Sequence, residues 1–217
     1  MLRPGQVPSF AAFVSLELDQ LIVENALPAE LSAVSPRSIT SRREQFMLGR
    51  QAAHEALKRL GPDEQPILVG NHREPVWPEG IVGTIAHTAG HAVALVAPSE
   101  STDGVGVDVE VRRAAPELFN TVLRPEEVAW IDELAPTRRN DAALGVFSAK
   151  ECIYKAFFHR VGSYFGFDAA TLTPTDFGFE ARLVSPIDPH YPPRRTLSVH
   201  SQCQDELMLS WLVLPKT

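Results

Sequence analysis

Hydrophobic and polar residues change their spacing several times along this chain, and each change marks an element. From Ser41 to Leu60, the apolar residues Phe46, Ala53, Leu57 and Leu60 recur at helical spacing. Ser41 with Glu44 three residues on predicts a capping box, and Gly61 followed by Pro62 predicts the stop. Residues 81–97 read as two short strands around a glycine-containing turn, and Ala92–Ala97 is apolar enough for a buried strand. Val105–Val111 alternates strictly, as a strand does. Helical spacing returns over about Asp141–Phe158, with Leu144, Phe147, Tyr154 and Phe158. Strand patterns close the chain at 177–184, 196–200 and 207–214, and a strand region is expected near its start. Helices and strands occur in both halves without regular βαβ alternation, which predicts an α+β fold with mostly antiparallel sheets. The polar stretch Pro98–Gly104 is the clearest break, dividing the chain into residues 1–103 and 104–217.

Composition narrows the function. The 217 residues, 44% hydrophobic and 22% charged, suffice for one large domain or two closely packed small ones. The net charge of −7 argues against a nucleic-acid partner. No apolar run approaches the roughly 18 residues that a membrane span requires. The opening residues carry one early arginine and a short apolar stretch interrupted by Glu17 and Asp19, a poor secretory signal, so a cytoplasmic location is expected. Cys152 and Cys203 have no metal or redox spacing and are expected to be buried thiols.

Four segments carry candidate chemistry. In Gly104–Val111 the valines at 105, 107, 109 and 111 face one way, and Gly104, Gly106, Asp108 and Glu110 face the other. The two carboxylates then stand roughly 7 Å apart on one face, and the glycines would leave room for a ligand at the backbone. Hard oxygen ligands of this kind suit Mg²⁺, which takes one or two carboxylates and completes its shell with water and phosphate oxygens. The plainer reading is a solvent-facing strand. In Phe147–Ala156, Glu151 and Lys155 are one helical turn apart, while Lys150 points about 100° away from Glu151. An ordinary surface ion pair explains these residues equally simply.

The helix over 41–60 carries Arg42, Arg43 and Arg50; the last two are seven apart and share a face, and Arg42 lies near the N-terminus, where anions are favoured. Guanidinium forks suit phosphate, although a solvated helix surface is the commoner outcome. His87, in Gly83–Thr88, sits among small residues at a strand end and could donate to a phosphate; a buried, hydrogen-bonded imidazole is the simpler reading.

Together and in this order, the segments resemble the 4′-phosphopantetheinyl transferases of the monomeric, two-lobed type that activate surfactin, enterobactin and related synthetases. Gly106-Val107-Asp108-Val109-Glu110 is similar to the family's Gly-Ile-Asp-x-Glu motif, and Phe147–Ala156 to its (Trp/Phe)-(Ser/Ala)-x-Lys-Glu-x-x-x-Lys-Ala motif. Pro75–Gly80 and Gly83–His87 resemble motifs of the enterobactin-type subgroup, as do the arginine helix and Gly166-Phe167. The resemblance implies two pseudo-twofold-related lobes, each a mostly antiparallel sheet with helices, and coenzyme A in the cleft between them. It implies that Asp108, Glu110 and Glu151 hold Mg²⁺ (or Mn²⁺ in its place) with the coenzyme A pyrophosphate. It gives Lys150 and Lys155 to the phosphates, and His87 with the arginines, chiefly Arg42 and Arg50, to the 3′-phosphoadenosine end. Ala86 stands where the family usually has a hydroxyl, for which Thr84 or Thr88 could substitute. His72-Arg73 stands where some relatives have a lysine near the adenine.

The implied reaction is attack by a serine of an acyl- or peptidyl-carrier protein on the β-phosphorus of coenzyme A, with 3′,5′-ADP leaving. Positioning and charge neutralisation would dominate. Lys155 would stabilise the departing phosphate and Glu151 would accept the serine proton. Service to secondary-metabolite synthesis and a monomeric state follow from the same resemblance. Two rivals stand beside it. A metal-dependent nuclease commonly needs Glu-x-Lys within one strand, which Glu110-Val111-Arg112 does not supply. A transferase-like module that only binds would not need all three acids and both lysines.

Overall fold

The computed structural model describes residues 7–35, 37–61 and 64–217. The early arginine at position 3 and the stop signal at Pro62 lie outside them. Within them, one element order is used twice. The first lobe runs β1 (Ala12–Glu17), a one-turn helix α1 (Pro28–Leu31), the long helix α2 (Thr40–Leu60), a short hairpin β2 (Leu68–Val69) and β3 (Pro75–Val76), then the hairpin β4 (Ile81–Thr88) and β5 (His91–Pro98). The second lobe runs β6 (Thr102–Val111), short helices α3 (Leu118–Thr121) and α4 (Pro125–Asp132), the long helix α5 (Pro136–Val161), the hairpin β7 (Ala170–Thr175) and β8 (Gly178–Leu183), then the hairpin β9 (Thr196–Gln204) and β10 (Leu207–Pro215). In both lobes the first strand pairs antiparallel with the last, giving the orders β1-β5-β4 and β6-β10-β9-β8-β7. The difference is the inserted hairpin: β7–β8 extends its sheet, whereas β2–β3 forms a separate one.

Three apolar layers hold the lobes. Leu48, Ala53 and Leu57 of α2 pack on Val14, Ala94 and Val96 of the first sheet. Val146, Ile153 and Phe157 of α5 pack on Leu172, Val199 and Leu214 of the second. The opposite faces of the sheets meet each other, with Val93 and Leu95 against Val105, Val107, Val109 and Trp211. Burial on both faces explains why residues 92–97 of β5 are all 0% exposed and read as an uninterrupted apolar run.

Several boundaries differ from expectation. The capping box at Ser41 does not form, because α2 starts one residue earlier at Thr40 with Ile39 as N-cap and no side-chain cap, so Glu44 lies too far along to reach back. At the other end Gly61 is left-handed, with φ +92°, and stops the helix as predicted. The central turn is shorter than expected, since β5 ends at Pro98 and β6 starts at Thr102. Cys152 is buried, but Cys203 is exposed. Pairing of β9 with β8 ends at His200, so Cys203 lies on a part of β9 that has lost one neighbour.

Candidate active site

The acid face of β6 is shaped by its two glycines. A side chain at Gly104 would run into the Ala156 carbonyl, and one at Gly106 into the Cys152 carbonyl. The glycines thus make room for the backbone of α5, not for a ligand as the sequence suggested. That close approach brings Asp108 under the same helix. Asp108 is 4% exposed, so the wet face expected for it is a buried one. Its Oδ1 accepts a hydrogen bond from Lys155 Nζ at 2.6 Å, and its Oδ2 is buried without a partner. Lys155 also lies 4.0 Å from Glu151 Oε2.

Burial, with like charges close by, moves Glu110 and Glu151 upward. Burial, and after it the charge of Asp108, pushes Glu110 up to about 7. Burial also raises Glu151, with Lys155 working against it and Asp108 adding to it. Burial alone would lower Lys155, but Asp108 and Glu151 more than offset that and hold it above its ordinary value.

Lys150 goes elsewhere. Its ammonium donates to Glu127 Oε2 at 2.7 Å and to the Val122 carbonyl at 2.9 Å, with its side chain 2% exposed and that of Glu127 0% exposed. Glu127 also accepts the N–H groups of Arg124 and Leu172. Lys150 therefore points away from Asp108 into the packing of α3, α4 and β7. Burial keeps its pKa below the ordinary value despite the Glu127 charge.

Facing these residues, the first lobe offers a basic chamber of about 440 Å³, lined by Arg42, Arg50, Arg73, His87, Phe46 and Ser38 among others. Arg42, Phe46, Gly49 and Arg50 form the α2 side of that lining. Arg43 is exposed and stays out of it, although the heptad spacing had paired Arg43 with Arg50. Arg50 is 7% exposed, its guanidinium lies 4.7 Å from the Phe46 ring centre, and its Nε is buried without a partner. Burial lowers its pKa, with Glu30 acting against the shift. Burial also lowers His87, followed by the charges of Arg42 and Lys155, while Asp108 acts in the opposite sense. His87 is thus within electrostatic reach of both lobes' charged groups.

A second chamber, about 250 Å³, is lined by Arg73, Thr84, Tyr154 and Lys155 among others. Arg73 borders both chambers and holds a left-handed φ of 70° at the tip of the β2–β3 hairpin. The ring of neighbouring His72 meets Phe158 of α5 edge-on at 5.9 Å. A third, smaller cavity of about 90 Å³ beside Glu151 is walled by Tyr154, Tyr164, Phe165 and Phe167. Shared residues, Arg73 and then Tyr154, link the three in series from the arginines to Glu151. Thr84 is only 4% exposed, and Ala86 packs in the layer between the sheets. A hydroxyl at position 86 would accordingly face the core.

Residues 29–97 match the 4′-phosphopantetheinyl transferase N-terminal domain, and residues 104–203 match the 4′-phosphopantetheinyl transferase superfamily. The 4′-phosphopantetheinyl transferase PptT of Mycobacterium tuberculosis is 35% identical over 164 residues, covering 74% of this chain and 71% of that protein. This chain belongs to the 4′-phosphopantetheinyl transferases. The transferase Svp of Streptomyces mobaraensis is 35% identical over 73% of this chain and 66% of its own length. Enterobactin synthase component D of Salmonella typhi is 37% identical over 61% of this chain and 55% of its own. The family's reaction is transfer of phosphopantetheine from coenzyme A to a carrier protein, with release of 3′,5′-ADP.

The donor set of this transferase suits a hard divalent cation shared with a phosphate. Among the described residues, no three His, Cys, Asp or Glu side chains form a ready-made metal cage. Yet Asp108 keeps a buried oxygen without a partner, and neighbouring Glu110 is raised by burial first and by the Asp108 charge second, against the pull of Lys155 and Arg113. Mg²⁺ commonly takes only one or two carboxylates and leaves the rest of its shell to water and substrate phosphate. Sequence reasoning missed Glu127 and Glu30, both buried acids. Only the Pro125–Glu127 helix start hinted at the first, and nothing marked the second.

Proposed function

We propose that this transferase binds coenzyme A along the inter-lobe chambers and transfers its phosphopantetheine with the help of Mg²⁺. Asp108 and Glu110 would hold the ion, with Glu151 beside them. When bound, Mg²⁺ supplies Lewis-acid neutralisation of the pyrophosphate. Arg42, Arg50 and His87 hold the 3′-phosphoadenosine end, and Arg73, which borders both chambers, adds a further cation there. Lys155, already next to Asp108, neutralises charge on the departing phosphate. Glu151 accepts the proton of the carrier serine; its raised pKa, closer to neutral than an ordinary carboxyl, favours that role. Lys150 acts indirectly, as a fixed point of the helix that carries Glu151 and Lys155.

The observation that carries this reading is the Lys155–Asp108 contact at 2.6 Å, with an unpartnered Asp108 oxygen and a raised Glu110 next to it. One ammonium stands among three carboxylates, a balance that suits a divalent cation. Both lobes line the cleft within one chain, which supports a monomeric enzyme. Among the described residues no helix is long and apolar enough to cross a membrane, and the reading places the enzyme in the cytoplasm, serving carrier proteins of secondary-metabolite synthesis. The test is mass spectrometry of apo-carrier proteins incubated with coenzyme A. One phosphopantetheine mass gained on one serine with Mg²⁺, and none with a chelator, is expected. Equal transfer under both conditions would remove the metal from the reading.

A further inference from the structure

Glu30 sits on the one-turn helix α1 and is 2% exposed. Its Oε1 accepts the N–H of Ile67 at 2.7 Å and lies 2.8 Å from His54 Nε2. Its Oε2 is buried and has no partner. Glu30 and Arg50, with Gln51 and His54, line a cavity of about 10 Å³. That is about the room one water needs. On the far side of it, Arg50 Nε is likewise buried and unpartnered. Two opposite charges, each with an unused hydrogen-bonding atom, thus border one small gap, walled also by Ile22, Ala26 and Met47. Arg50 reaches the other way into the large basic chamber.

The reaction gives this arrangement a consequence. Coenzyme A and 3′,5′-ADP carry the same 3′-phosphate. An arginine that grips it strengthens substrate and product binding alike, and so slows product departure. We propose that Glu30 is the resident counter-charge of Arg50, and that it loosens the arginine's grip on the 3′-phosphate so that 3′,5′-ADP can leave. The proposal rests on the reading above that Arg50 meets the 3′-phosphate. In the free protein Glu30 compensates a guanidinium buried away from water. In the complex the phosphate supplies that charge, and Glu30 competes with it. Glu30 also fixes the approach to β2 through Ile67, so its removal must keep that hydrogen bond. Glutamine does so, since its amide oxygen still accepts.

The test measures dissociation constants of coenzyme A, 3′-dephospho-coenzyme A and 3′,5′-ADP by calorimetry, together with the melting temperature of the free protein. The proteins are wild type, Glu30→Gln, Arg50→Ala and the double variant. Glu30→Gln is expected to lower the melting temperature and to tighten coenzyme A and 3′,5′-ADP by roughly tenfold, the scale of one charge pair at partly buried separation. Binding of 3′-dephospho-coenzyme A stays unchanged, and the tightening vanishes in the double variant. Glu30→Asp, which keeps the charge but draws it back by one methylene, is expected to tighten the same two ligands by a smaller factor. A merely structural Glu30 would weaken all three ligands together or change none, and either result overturns the proposal. If Arg50→Ala alone leaves the preference for coenzyme A over its dephospho form intact, the placement of Arg50 fails instead, which separates the two failures.

Discussion

Lys150 Nζ lies 2.7 Å from Glu127 Oε2, and both side chains are cut off from solvent. Removing one partner leaves the other charge buried and unpaired, which costs about 3–5 kcal/mol, whereas replacing both by apolar groups is often neutral. Lys150→Ala should therefore lower unfolding stability by about that amount. Lys150→Met combined with Glu127→Leu should recover much of it, with the Arg124 and Leu172 N–H groups that Glu127 now satisfies accounting for the remainder. Urea unfolding of the three proteins decides this. If Lys150→Ala kept wild-type stability and lost only coenzyme A affinity, Lys150 would be a phosphate ligand after all.

Gly106 tests the seam between β6 and α5. An added methyl would strike the backbone carbonyl of Cys152, which cannot rotate away as a side-chain tip could. Gly106→Ala should force α5 off the strand, costing about 1–3 kcal/mol as overpacking does. Because Lys155 is one helical turn beyond Cys152, the shift should also lengthen its contact with Asp108 and lower transfer. Gly80, by contrast, has nothing within 4 Å of such a methyl and only a left-handed φ of 79° to resist it. Its alanine variant should lose stability with transfer per folded molecule unchanged. Melting curves and initial rates for both variants compare the two effects.

How much of this was legible beforehand depends on what each residue's role is set by. Period-two alternation placed Asp108 and Glu110 on one face, and helical spacing placed Glu151 one turn from Lys155. Both are local geometry, and both hold. The partner of Lys150 was not legible, because its direction, about 100° from Glu151, says nothing of what waits there. Glu127 arrives from another element. The glycines were ambiguous for the same reason: a missing side chain makes room for a ligand or a helix, and only the packing of α5 tells which. Arg43 and Arg50 do share a heptad relation, but the chamber follows Arg42, Phe46 and Arg50, a choice set by where Ala33, Val34, Ser35, Ser38 and His87 close around α2. The capping box failed by two residues, since the N-cap is Ile39 and not Ser41, the scale on which helix starts depend on the entering chain.

Glu110 gives a pH signature. Its folded pKa is raised from 4.5 to about 7. The folded state then binds more protons than the unfolded one between those values, so stability falls as pH rises through that window. Below about pH 4.5 this contribution is absent, and above about pH 7 the penalty is complete. The metal-free protein should lose stability from Glu110 on going from about pH 5 to pH 8. Glu110→Gln should flatten that part of the profile. Added Mg²⁺ should do so too, by favouring the ionised carboxylate. Thermal unfolding across the range, with chelator and with metal, provides the readout. A wild-type profile that Glu110→Gln leaves unaltered would put the pH dependence on another group.

Glu151→Gln separates proton transfer from binding. Glutamine keeps the size of the side chain and one acceptor oxygen, but cannot take up a proton at working pH. Glu151 lies 4.0 Å from Lys155 and borders the 90 Å³ aromatic cavity, whereas Arg50 and His87 are in the basic chamber of the other lobe. Its loss should leave the contacts of the adenosine end in place. A general base is worth about 10²–10⁴ in rate, so single-turnover transfer to a carrier serine should slow by about that factor. The dissociation constant for coenzyme A should change by less than about threefold, which is roughly 0.65 kcal/mol. The wild-type single-turnover rate should also rise with pH as Glu151 ionises, and the variant should lose that limb. Metal titration in both proteins supplies the control. If Glu151→Gln weakened Mg²⁺ binding in proportion to the lost rate, and saturating metal restored transfer, Glu151 would be a ligand and not the base, and the serine proton would have to leave through another group.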